Sequence, residues 1–156
     1  MVNKNNVLKD SLPERLAAVG VILRDDKFLV IKRALTESAP GACCFPGGGI
    51  DPGESEMEAL VRELQEEVGI QSPNPIRCLW RSWTERNVNI AWWLTEISSD
   101  ETLVANPAEV AEIYWWTPEE MIQSGLMLKS NLEFLDTLSK GGFDIENSSH
   151  GKANGA

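Results

Sequence analysis

The sequence predicts an α/β domain, a mixed sheet with helices packed on its faces. Three observations predict it. Short β-branched runs bounded by Gly, Pro and Asp alternate with segments whose apolar residues recur at helical spacing. The helical segments carry cap signals at their ends. With 42% hydrophobic residues, a chain of 156 can bury one core of ordinary domain size.

"RLAAVGVILRD" (15–25) reads as a strand, and Asp25-Asp26 turn it into "KFLVIKRA" (27–34), so the two are expected to form a hairpin. "TESAPGACCFPGGGIDPGE" reads as a long loop. Ser55 and Glu58 form an S-x-x-E capping box that opens a helix, and Gly69 stands just past its end. Met57, Leu60, Val61, Leu64 and Val68 make the stripe expected to face the core. "IRCLWRSWTE" (76–85) and "NVNIAWWLTEI" (87–97) read as an antiparallel pair, and "EVAEIYWWT" (109–117) as a further strand. Thr117 and Pro118 open a short helix. "KSNLEFLDTLSK" (129–140) is the terminal helix, with Leu132, Leu135 and Leu138 on one stripe. The expected organisation is a loose segment 1–14, a domain 15–140 and a disordered tail 141–156.

The composition excludes several functions. Net charge is −10, which repels a nucleic-acid polymer. A small phosphorylated ligand stays open if cations are supplied locally. No apolar run is long enough to span a membrane, and "MVNKNNVLKDSLPERL" has no signal-peptide stretch, so a cytoplasmic location is expected. Three cysteines without C-x-x-C spacing point to buried small hydrophobes, not a disulfide framework or zinc site. The one histidine, His150, leaves no room for a histidine-based triad or metal cluster.

"VRELQEEVGI" (61–70) crowds Glu63, Glu66 and Glu67 beside Arg62, with Glu56 on the same side. Like charges four apart cost a helix roughly 0.2–0.5 kcal/mol per pair. A plain acidic surface is one reading, and a divalent cation that cancels the repulsion is the other. Oxygen ligands alone select hard cations, Mg²⁺ with Mn²⁺ as a substitute. Gly47, Gly48 and Gly49 just upstream let backbone approach an ion or a phosphate closely, without the G-K-[ST] of a P-loop.

Gly48, Glu54, Arg62-Glu63-Leu64, Glu66-Glu67 and Gly69-Ile70 stand at spacings that resemble the complete box of the Nudix hydrolases, of MutT-like type. The likeness extends over most of residues 15–140. It implies an α/β/α sandwich and Mg²⁺-dependent cleavage of a diphosphate joined to a further group, often a nucleoside. By that resemblance Glu66 and Glu67 are metal ligands, joined by a backbone carbonyl at Gly47 or Gly48. Glu63 is a ligand or the base that activates water, Arg62 orients the glutamates, and Glu54 supports the loop–helix junction. Glu109, with Glu112 second, is the candidate for a further carboxylate.

Lys32 and Arg33, which lead into the glycine loop, are candidates for a substrate phosphate contact, simple solvation being the alternative, with Arg81 and Arg86 as weaker versions of the same idea. Trp93 is a candidate for base stacking, sheet packing being the alternative. Asn131 suits a base edge because an amide donates and accepts, and a polar residue in the first turn of the last helix, or its N-cap, is the alternative. Marks typical of ADP-ribose and dinucleoside polyphosphate hydrolases are absent at Glu85, Arg86 and Asn87. The expected substrate is a nucleoside triphosphate, with ADP-ribose or a nucleotide sugar as the rival. A Nudix module that senses a nucleotide without cleaving it is the alternative from another class. A monomer or homodimer is expected.

Overall fold

The computed structural model describes residues 14–146. Eight strands and three helices follow in the order β1 Arg15–Val21, β2 Leu23–Arg24, β3 Lys27–Arg33, β4 Cys43–Cys44, β5 Gly47–Gly49, α1 Glu56–Val68, β6 Asn74–Trp83, β7 Val88–Glu96, β8 Val110–Trp116, α2 Pro118–Ser124 and α3 Lys129–Ser139. They make two four-stranded sheets. The first has the order β5-β1-β7-β6, and β1 runs parallel to β7 and antiparallel to β5, so it is mixed. In the second, β3 pairs with β2, β4 and β8, all antiparallel.

Alternation along the strands separates two cores. Leu60, Leu64 and Val68 of α1 pack on Ala18, Leu29 and Ile31. Met121 of α2 and Phe134 and Leu135 of α3 pack on Val30, Phe45 and Trp92 from the opposite side. Helices therefore cover both faces, and the expected α/β/α layering is present.

Several expectations change in detail. The strand expected over 15–25 breaks at Ile22. Its first seven residues join the first sheet, and the hairpin with β3 keeps only Leu23 and Arg24. Asp25 and Asp26 both have positive φ, 53° and 61°, as a tight two-residue turn requires. The long loop is interrupted by β4 and by the glycine strand β5.

The core stripe of α1 is rotated from the expected one. Ala59, Leu60, Leu64, Glu67 and Val68 are buried, whereas Met57 is 45% exposed. The helix packs on β1 and on the glycine strand β5, whose Gly47 N–H takes the Glu67 carboxylate inward. The hydroxyl half of the Ser55 box forms, with Glu58 N–H donating to Ser55 Oγ at 3.1 Å. Gly69 closes the helix in the left-handed conformation. In α3 the buried residues are Asn131, Phe134 and Leu135, and Leu132 is exposed. Residues 141–146, expected at the start of a disordered tail, pack against the core through Phe143 and Ile145. The rest of that tail and the segment 1–13 lie outside the described residues. Among the described residues no helix is long and apolar enough to cross a membrane.

Candidate active site

The site begins with two glycines at which any side chain would meet a neighbour. A Cβ on Gly47 would lie 2.3 Å from the carbonyl oxygen of Ala18, because β5 is pressed against β1. A Cβ on Gly48 would lie 2.6 Å from the carboxyl carbon of Glu63. The first glycine permits the strand pairing, and the second leaves space for a carboxylate over the backbone.

Glu67 points into the fold and is 6% exposed, with the Gly47 N–H donating to its Oε1 at 2.9 Å. Burial pushes its pKa up to about 8, against the pull of that hydrogen bond, and the nearby Glu63 and Glu109 add to the rise. Burial also raises the pKa of Glu63, which Arg62 opposes. Glu109 is raised by burial first, then by the charges of Glu37 and Glu66. Its Oε2 is shielded from solvent and has no hydrogen-bond partner.

Arg62 organises the outer side of this cluster. Its guanidinium grips Glu54 with two bonds of 2.8 Å, donates to Glu63 Oε1 at 3.0 Å and to the Gly49 carbonyl at 3.0 Å, and reaches Glu66 at 3.4 Å. Glu54 in turn accepts from the Asp51 N–H at 2.8 Å. The Arg62 bonds, helped by that N–H, bring the Glu54 carboxyl down to about 2. The helix start is anchored separately: Glu56 takes two bonds from Arg81, 2.7 and 2.9 Å, and one from Trp93 Nε1 at 3.0 Å.

The donor set fits a hard divalent cation. Glu63, Glu66, Glu67 and Glu109 supply only oxygen, they repel one another, and one buried oxygen has no partner. Among the described residues no three of them already converge as a ligand cage. Arg62 draws Glu63 and Glu66 outward, and Gly47 holds Glu67 inward.

Next to the carboxylates a cavity of about 540 Å³ opens past Gly47, Gly48 and Gly49. Arg33, Phe45, Trp92 and Asn131 line it, with Arg86 and Lys129 also in its wall. Arg33 is held by Ser38, donating to its carbonyl at 2.6 Å and to its Oγ at 2.9 Å.

A family model for the NUDIX domain matches residues 14–138. The chain belongs to the Nudix family. An uncharacterized Nudix hydrolase of Rhodococcus erythropolis is 31% identical over 119 residues, 67% of this chain and 64% of that protein. This chain therefore spans a little under two thirds of that relative's length. The CTP pyrophosphohydrolase of Escherichia coli (strain K12) is 34% identical over 107 residues, 67% of this chain and 76% of that protein. The MutT protein of Methanosarcina mazei Go1 shares the fold, with a TM-score of 0.67 over 85% of this chain and 97% of that one at 19% identity.

The Nudix box residues Glu54, Arg62, Glu63, Glu66 and Glu67 thus cluster around the glycine strand that lines the cavity, and Glu109, from the segment before β8, lies within electrostatic reach of Glu63 and Glu67. Glu112 does not: it is exposed and pairs across β3 with Lys32. Of the expected substrate residues, Arg33 and Asn131 line the cavity. Asn131 is 3% exposed, and its Oδ1 accepts from the Phe45 N–H at 2.9 Å. It lies in the first turn of α3, whose N-cap is Leu128. Lys32 is not in the cavity wall, although Arg33 is, and the register of β3 against β8 shifts between these two residues. Trp93 is also misplaced. It packs on the α1 side and hydrogen-bonds Glu56, while its neighbour Trp92 faces the cavity. Arg81 is committed to Glu56. Phe45 went unnoticed in the sequence, where it sits inside an apparent loop. The adjacent Trp pair showed that one ring faces each way, without saying which.

Proposed function

We propose that this chain is a divalent-cation-dependent pyrophosphohydrolase, with Mg²⁺ as its cation and a nucleoside triphosphate as its preferred substrate. The observation that carries this reading is the unpartnered, solvent-shielded Oε2 of Glu109 within electrostatic reach of the box glutamates, beside a cavity of nucleotide size. Relatives that include a CTP pyrophosphohydrolase support the nucleotide class.

Glu66, Glu67, Glu109 and the Gly48 backbone would hold the ion. When bound, it offsets charge on the diphosphate oxygens and lowers the pKa of the attacking water. Glu63 takes the proton of that water. Its half-buried carboxyl, raised above the usual range and pinned by Arg62, suits a base. Water oxygen bonds to phosphorus as the anhydride P–O bond breaks, and the bridging oxygen leaves on the departing phosphate. Arg33, braced by Ser38, reaches towards the phosphates, while Asn131 and the aromatic wall of Phe45 and Trp92 receive the base.

The test is product release with Mg²⁺ across nucleoside triphosphates, diphosphates, ADP-ribose and nucleotide sugars. Turnover highest on a triphosphate, abolished by chelation, is the expected result. Faster release from ADP-ribose or a nucleotide sugar moves the assignment to that class. Tight binding without any product makes the chain a sensor.

A further inference from the structure

The sequence places residues 141–146 in a polar tail, but the structure folds them back as a strap across α3 and the first sheet. Two glycines make the turn. Gly141 has φ of 76°, and a Cβ on Gly142 would lie 2.5 Å from Thr137 Cγ2. The Gly142 N–H donates to the Thr137 carbonyl at 2.9 Å. Beyond the turn, Arg77 of β6 clamps the strap, donating to the carbonyls of Asp144 at 2.6 Å and Glu146 at 2.8 Å. Phe143 is thereby set between Phe134 at 4.8 Å and Trp80 at 5.9 Å, ring centre to ring centre.

This contact continues inward as a chain of rings. Phe134 stacks on Trp92 at 4.9 Å and meets Phe45 edge-on at 5.3 Å. Trp92 and Phe45 are cavity wall, and the Phe45 N–H holds Asn131, three residues before Phe134 on the same helix. We infer that Phe143 is a positioning residue for substrate: through Phe134 it fixes the register of α3 against the sheet, and so the place of Asn131 and the aromatic wall. Close-packed aromatic contacts transmit displacement because they have few alternative arrangements. The carboxylates on α1 lie on the opposite face of the sheet and are not part of this chain of contacts. The strap therefore governs how the substrate's base is held and leaves the hydrolytic step alone. The inference rests on the proposed use of the cavity by a nucleotide.

The experiment has an arm that needs no substrate. In Phe143→Ala, amide exchange at Phe45 is expected to quicken about tenfold or more, while amides of α1 keep their wild-type rates. On the best substrate, KM is expected to rise about fivefold or more with kcat within about twofold. Phe143→Trp restores both, and Arg77→Gln, which frees the strap but keeps the ring, gives a smaller change in the same direction. Unchanged exchange at Phe45 overturns the inference, as does a uniform rise across Phe45 and α1, which would mark a general loss of stability. A fall in kcat at constant KM also overturns it. If the wild-type protein turns over nothing, the functional reading fails while the exchange result still decides the positioning role.

Discussion

The Gly47 N–H donates to Glu67 Oε1 at 2.9 Å across a separation of twenty residues, and this bond seats a carboxyl group inside the protein. Folding here puts an acid where its charged form is disfavoured, and that has measurable consequences.

Burial moves Glu67 from an ordinary 4.5 to about 8. The folded value lies above the unfolded one, so its contribution to stability is complete below pH 4.5 and is lost as pH rises through 8. In chelator, the protein should lose roughly 1–3 kcal/mol of stability between pH 6 and pH 9 from this group. Glu67→Gln should flatten that slope. Thermal or urea unfolding of both proteins across the range checks it, and equal slopes would contradict the assignment.

The same variant should turn over substrate at least about a hundredfold more slowly, because a missing oxygen ligand removes electrostatic stabilisation where charge builds up. Glu66→Gln should behave likewise. Circular dichroism should show both still folded. Wild-type turnover by either variant, on any accepted substrate, would remove Glu66 and Glu67 from the cation site.

Alanine at the two glycines should separate stability from activity. Gly47→Ala drives a methyl into the Ala18 backbone and should cost roughly 3 kcal/mol or more. Gly48→Ala meets the movable end of Glu63, so the melting temperature should change little while kcat collapses. Melting curves and single-turnover rates on the pair distinguish the two effects.

Arg62→Lys keeps the charge but loses the fork that grips Glu54 while also reaching Glu63 and the Gly49 carbonyl. Activity should fall at least about tenfold. Acid sensitivity should change too. Glu54 is held at about 2 against an ordinary 4.5, so its contribution is present above 4.5 and lost as pH falls towards 2. That acid-side loss should be shallower in the lysine variant.

Much of this was legible in the sequence because local rules decided it. Ser55 and Gly69 bound α1, Thr117 and Pro118 open α2, and the box spacing brings Glu63, Glu66 and Glu67 onto one helix. What escaped depends on long-range packing. The inward turn of Glu67 follows from its long-range contact with Gly47 on β5, which no helical periodicity contains. Trp93, expected to stack a base, faces α1 because strand parity says only that neighbours diverge, and Lys32 parts from Arg33 at a shift in the register of β3. Residues 141–146 look like linker by composition, yet a single Phe143 finds Trp80 and Phe134.

Glu67 belongs to the helix that rests on β1 and β5, whereas Glu109 leads into β8 of the other sheet. An ion held by both, as proposed above, would act as a rivet across the seam between the two halves of the molecule. Resistance to proteases should then track ion concentration even with no nucleotide present, so the catalyst and the fastener are one object.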